Sequence, residues 1–124
     1  MEHEIALVVR LYEAFNARDI PAVLAHLTAD VAWANGMDGG YVHGHEGLRD
    51  YWTRQWAVVD PHVEPLHFDR HDDATISVTV SQTIRDLDGN PIVDATHGLK
   101  DRSVVHVFRF RSGKVCRFDI DDKA

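Results

Sequence analysis

A single cysteine, Cys116, stands in a chain of 124 residues. It cannot close an internal disulfide, which fits a reducing compartment. Cations are also scarce, with 13 Lys and Arg against 20 Asp and Glu and a formal charge of −7. A sequence-independent nucleic-acid binder needs clustered cations to displace phosphate counterions, so no nucleic-acid partner is expected. No apolar run approaches the roughly 18 residues of a membrane span, and no membrane partner is expected either. Glu2 and Glu4 stand where a signal peptide would carry Lys or Arg, so the expected location is cytoplasmic. No glycine loop has the Walker or dinucleotide spacing, and no nucleotide cofactor is expected. Repeats, linkers and low-complexity tracts are missing, and the length suits one domain over residues 1–124.

Histidine, by contrast, is abundant, with nine in the chain. Neutral imidazole is both a metal ligand and a proton carrier near pH 7. His3, His26, His62, His67 and His71 sit among polar neighbours and read as solvated surface. His43-x-His45 and the trio His62, His67 and His71 raise a metal question. Neither group has the Cys-rich or helix-spaced pattern of a structural zinc site, so no metal and no other cofactor is expected.

Periodicity organises the rest. Ile5, Val8, Tyr12 and Phe15 form the apolar stripe of a first helix that Asn16-Ala17-Arg18 ends. Asp19 is placed as the N-cap of a short second helix with Pro21 in its first turn and a stripe of Ile20, Val23, Leu24 and Leu27. Thr28-Ala29-Asp30 is expected to stop it, with a strand over Val31–Asn35 and a glycine loop after that. A third helix is expected from about His45 to Val59, with Leu48, Trp52, Trp56 and Val59 on one face. Beyond Pro61 the pattern is strand-like: His62–Arg70, then Thr75–Ile84 in strict alternation, Ile92–Thr96 after an Asp88-Gly89 turn, Arg102–Arg111, and Val115–Asp121. The expected fold class is α+β, a curved, mostly antiparallel sheet covered by three N-terminal helices.

The stretch LYEAFNARDIPAVLAHLTADVAWAN resembles the opening of the nuclear transport factor 2-like superfamily. YVHGHEGLRDYW resembles its short strand, glycine turn and third helix, and VVHVFRFRSGKVCRFDI its last hairpin. The resemblance spans nearly the whole chain and rests on structural motifs. It implies a cone-shaped barrel of SnoaL-like or ketosteroid-isomerase-like type, open at one end, and a homodimer formed through the sheet. The superfamily includes steroid isomerases, polyketide cyclases, dehydratases, epoxide hydrolases and non-catalytic adaptors, so the fold implies no single reaction. On this chain the ketosteroid isomerase general base falls on Asn35, its first-helix tyrosine on Leu11, one position short of Tyr12, and its protonated aspartate on His106. An amide cannot abstract a proton and leucine cannot donate a hydrogen bond, which argues against steroid isomerisation. Some cyclases and dehydratases of the superfamily use histidine with aspartate or asparagine, and Asn35 and His106 are of that type.

The candidate site follows from faces of strands. His106 shares its face with Val104, Phe108 and Phe110, so it is either a hydrogen-bonded core residue or a pocket residue. In a pocket, partial burial would keep it neutral and suited to general-base work. Asn35, on the face of Trp33, would polarise a carbonyl or enolate oxygen, or else cap the glycine loop. Gln82 breaks an apolar row and meets either the pocket or a dimer interface. Trp33, Met37, Trp52, Trp56 and Phe108 would wall a cavity for a small apolar or cyclic molecule, although tryptophans at i, i+4 also serve as plain core. Asp119 alternates with Phe118 and Ile120, so period two turns it away from the helices; a bulge would be needed to bring it in. Two functions remain open. One is a cofactor-free isomerase, cyclase or dehydratase acting on a small apolar carbonyl compound through His106 and Asn35. The other is a non-catalytic ligand-binding or dimerisation module.

Overall fold

α1, Glu2–Asn16, buries Leu7, Val8, Leu11 and Tyr12 along one side, the stripe its periodicity demands. The structure is a computed structural model that describes residues 2–35, 39–90 and 102–121. Two side chains latch the end of α1 to β3, Asp60–Arg70. Asn16 donates to the Val63 carbonyl at 2.8 Å and accepts from the Val63 N–H at 3.0 Å. It thereby satisfies the N–H and the carbonyl of one residue on the free edge of an edge strand, a row of groups that would otherwise be unpaired. Arg18 reaches the Pro61 carbonyl and pairs with Asp60, with its guanidinium 5.2 Å from the Trp56 ring centre.

α2, Ile20–Leu24, is capped by the Asp19 carboxylate on the Ala22 N–H, as expected, but it is one turn shorter than its stripe suggests. Leu27 does not belong to it. It opens β1, Leu27–Ala34, four residues before the expected start. The apolar spacing of Leu27 is satisfied because a strand buries it as fully as a helix would, against the last strand, where Val115 N–H bonds the His26 carbonyl. β2, Tyr41–His43, follows, and Gly44 opens α3, Gly44–Trp56, at φ 76°. α3 stops three residues before Val59: the Gln55 carbonyl collects the N–H groups of Val58 and Val59, and Pro61 disfavours helix just before it.

β4, Ile76–Arg85, β5, Arg102–Arg111, and β6, Lys114–Asp121, complete a sheet of order β2-β1-β6-β5-β4-β3. Every pairing is antiparallel except β1 with β6. The fold is therefore α+β as expected, with one parallel pairing in a mostly antiparallel sheet. The strand expected over Ile92–Thr96 lies outside the described residues. The core is continuous: α1, α2 and α3 contribute Val8, Leu11, Val23, Leu48 and Trp52, and the sheet contributes Ile76, Val78, Val80, Phe108 and Val115.

Bulges in β3 and β6, beside a further register shift in β1 between Leu27 and Ala32, set which side chains face that core. In β3 the register slips between Pro65 and His67, leaving Leu66 as the extra, exposed residue and reversing the alternation after it. In β6 the slip lies between Val115 and Arg117, at Cys116. From Arg117 on, the pairing is regular again, so Phe118 and Ile120 share one face and Asp119 takes the other. A bulge exists, but too early in the strand to bring Asp119 inward.

Candidate functional site

α1, α3 and the sheet enclose a cavity with ≈ 530 Å³ of empty space, its solvent-open mouth included. Leu11, Tyr12 and Phe15 line it from α1, and Tyr51, Trp52 and Gln55 from α3. Trp33 and Ala34 of β1, Pro61 and Val63 of β3, and Gln82 of β4 add to the wall. His106 of β5 with Phe118 and Ile120 of β6 completes it. Rings dominate: Trp33 stacks on Phe118 at 4.0 Å and meets Trp52 edge-on at 5.3 Å. Among the described residues no carboxylate, Lys or Arg lines it.

The polar centre of the wall is a pair. The Tyr12 hydroxyl lies 2.7 Å from Nδ1 of His106, with both side chains buried. Of the two directions such a bond can take, one leaves fewer polar atoms without a partner. If Tyr12 donates to Nδ1, its proton has an acceptor and neutral His106 carries its own proton on Nε2. If Nδ1 donates instead, the buried phenol proton finds no acceptor among the described residues, a loss of about 1–3 kcal/mol. The structure therefore favours Nε2–H as the group left to meet a molecule in the cavity. Burial pushes His106 down from its ordinary range to about 3, and pushes Tyr12 well above its ordinary value. Both are neutral at pH 7.

The structure brings His106, Trp33, Trp52 and Gln82 together in this wall. Other candidates lie elsewhere. Phe108 is fully buried behind the cavity, edge-on to Tyr12 and tilted against Phe118, which takes the lining position instead. Trp56 stacks on the far side of Trp52 and packs against Phe15 and Arg18. Asn35 is not among the lining residues; β1 ends at Ala34, and the Asn35 backbone clasps the turn through bonds with Gly39 and Gly40. Met37 lies outside the described residues. Asp119 pairs with Arg117 and accepts from the Tyr41 hydroxyl on the side away from the cavity. Burial would raise its carboxyl, but those two hydrogen bonds outweigh it and hold it below its ordinary range.

Ten of the lining residues, Tyr12 and Gln55 among them, are absent from the sequence-based candidates. Tyr12 lies one position beyond the residue to which the resemblance assigns the family tyrosine, yet its place on the α1 stripe with Val8 and Phe15 already points it inward. Gln55 carries no comparable signal, since its helix face is marked by Trp52 and Trp56.

The SnoaL-like domain family matches residues 8–118. An NTF2-like protein of unknown function from Burkholderia pseudomallei is 26% identical, with a TM-score of 0.78 over 99% of this chain and 92% of that one. TerC, co-crystallized with polyporic acid, is 23% identical with a TM-score of 0.77, covering 98% of this chain and 92% of its own. SalBIII, an epoxide hydrolase/cyclase-like enzyme in pyran ring formation in the polyether salinomycin, is 16% identical with a TM-score of 0.76, over 97% and 90%. At their identities the last two likenesses show the fold alone. No curated protein matches the chain.

The depressed basicity of His106 has a consequence for stability. The unfolded chain protonates this imidazole near its ordinary value of about 6.5, whereas the folded one does so only near about 3. Between those values the unfolded state binds the additional proton, so stability is full above the upper value and is lost as the pH falls toward the lower one. The loss approaches about 1.4 kcal/mol per pH unit. Urea denaturation from about pH 7 to pH 4 should show a steeper decline for the wild type than for His106→Asn. Parallel declines would contradict the assignment.

Proposed function

The chain belongs to the SnoaL-like domain family, and from that premise we propose that it binds a small, largely apolar carbonyl compound in its cavity and acts on it without a cofactor. The observation that carries this reading is the Tyr12–His106 bond in an otherwise ring-lined wall. It leaves Nε2–H as a fixed donor, the group a carbonyl or enolate oxygen needs when negative charge develops on it. The reaction class is isomerase, cyclase or dehydratase, each in a form that develops charge on the carbonyl oxygen of its substrate.

His106 serves as a donor rather than as a general base. Its lone pair at Nδ1 is taken by Tyr12, and an imidazole pushed down to about 3 binds a proton weakly. Full transfer of the Nε2 proton, with Tyr12 following, would leave a buried phenolate, which the raised Tyr12 value disfavours. The pair therefore holds the oxygen and shields its charge. Trp33, Trp52 and Phe118 hold the ring of the substrate by stacking and by excluding water.

A second reading, a ligand-binding module without turnover, is favoured by one observation: no carboxylate lines the cavity among the described residues to move a carbon-bound proton. A panel of aromatic and cyclic carbonyl compounds separates the two. The wild type should bind members of the panel and convert at least one, and His106→Asn, still folded, should lower turnover by about 10²- to 10³-fold. Binding without conversion supports the module, and conversion that survives in His106→Asn contradicts the role given to this residue.

The protein is further proposed to work as a homodimer through the outer face of the sheet. Ser77 pairs with Val107 and Thr79 with Val105, all four half-buried, and this half-polar patch suits an isologous interface. Light scattering at micromolar concentration should give twice the 14.0 kDa monomer mass. A 14.0 kDa particle would contradict the interface.

A further inference from the structure

Gln55 poses a problem that the Tyr12–His106 pair does not solve. Its side chain lines the cavity at 4% exposure. Nε2 donates to the Tyr51 hydroxyl one turn back on α3, at 3.0 Å. Oε1 is buried and accepts no hydrogen bond from any described residue. Buried carbonyl oxygens are nearly always paired, and an orphan weakens the empty protein. The amide is anchored at Tyr51 through Nε2, and a turn about its last side-chain torsion is what would present Oε1 to an occupant of the cavity.

We propose that Oε1 of Gln55 is a second ligand-binding pole, which accepts a hydrogen bond from a hydroxyl or N–H group on the molecule whose carbonyl oxygen meets His106. The inference rests on the carbonyl-binding reading of the same cavity and narrows its ligand. The two poles differ in sign: Nε2–H of His106 offers a proton, and Oε1 of Gln55 asks for one. With no charged side chain in the described lining, neither an ammonium nor a carboxylate would be compensated for leaving water. The ligand is thus a neutral ring compound bearing both a carbonyl and a donor, a cyclic or aromatic hydroxy-ketone or its N–H counterpart. Gln55 is then a specificity-determining residue: a site built around a buried acceptor rejects the analogue that lacks the donor, because the acceptor is left unpaired.

The test uses the three ring isomers of hydroxyacetophenone, their methyl ethers and the matching ethylphenols, with binding read by quenching of Trp33 and Trp52, which line the cavity. At least one hydroxy isomer should bind the wild type about tenfold or more tightly than its methyl ether. Gln55→Met should bind the two about equally, and without ligand should melt no lower than the wild type, because the orphan oxygen is gone. Gln55→Leu gives the same comparison if the first variant folds poorly. A preference for the hydroxyl that survives in these variants, a wild type with no such preference, or a wild type that binds none of the isomers would overturn the proposal. The carbonyl pole is read separately, as preference for the ketone over the matching ethylphenol. Loss of the hydroxyl preference in Gln55→Met beside a ketone preference that His106→Asn leaves intact would sustain the Gln55 pole and overturn the role of His106.

Discussion

Tyr12 and His106 are 94 positions apart in sequence and joined by 2.7 Å in the core. That single bond couples the first helix to the fifth strand, and the cavity lies between them. Either group buried alone would weaken the fold by about 1–3 kcal/mol. Together each offsets the penalty of the other, and a phenol that donates to Nδ1 puts the imidazole proton on Nε2. The neighbours then complete a dry, neutral surround. Phe108 and Phe118 pack against the pair, and the latch of Asn16 and Arg18 onto β3 holds the end of α1 one turn beyond Tyr12.

The cavity owes its character to what surrounds it being uncharged. On the other side of the sheet ionic groups pair with one another: Arg117, Asp119 and Tyr41 form one cluster, and Arg111 pairs with Asp30 in another. Strand alternation performs this sorting, and the bulges in β3 and β6 change its phase where each strand needs it. A cavity of this kind shifts histidine toward its neutral form and makes every remaining hydrogen-bonding atom count. In the proposed function His106 and Gln55, beside the polar Gln82 and Tyr51 of the same lining, recognise an occupant by more than shape.

Much of this architecture can be read in the sequence because it rests on periodicity. The stripe of α1, the alternation of Ile76, Val78 and Val80, and the apolar face around His106 all follow from spacing alone. Element ends were harder. Leu27 satisfies a helical stripe and a strand equally well, and only its pairing with Val115 decides between them. The parallel pairing of β1 with β6 leaves no local trace. At the site, spacing places His106 and Trp33 on inward faces, but it cannot show that Phe118 covers Phe108 or that β1 ends before Asn35. Nor can it show that Tyr12 reaches across to the imidazole. Those facts depend on side chains from distant elements meeting, which no window of sequence contains.

The proposed function depends on Tyr12 donating to Nδ1 of His106 and so presenting Nε2–H to the cavity. Long-range proton–nitrogen correlation NMR of the histidine side chains at neutral pH reads this directly, with His106 assigned by comparison with His106→Asn. A neutral ring with an unprotonated, hydrogen-bonded Nδ1 and a protonated Nε2 is expected. A proton on Nδ1 with a bare Nε2, or a doubly protonated ring, would contradict it.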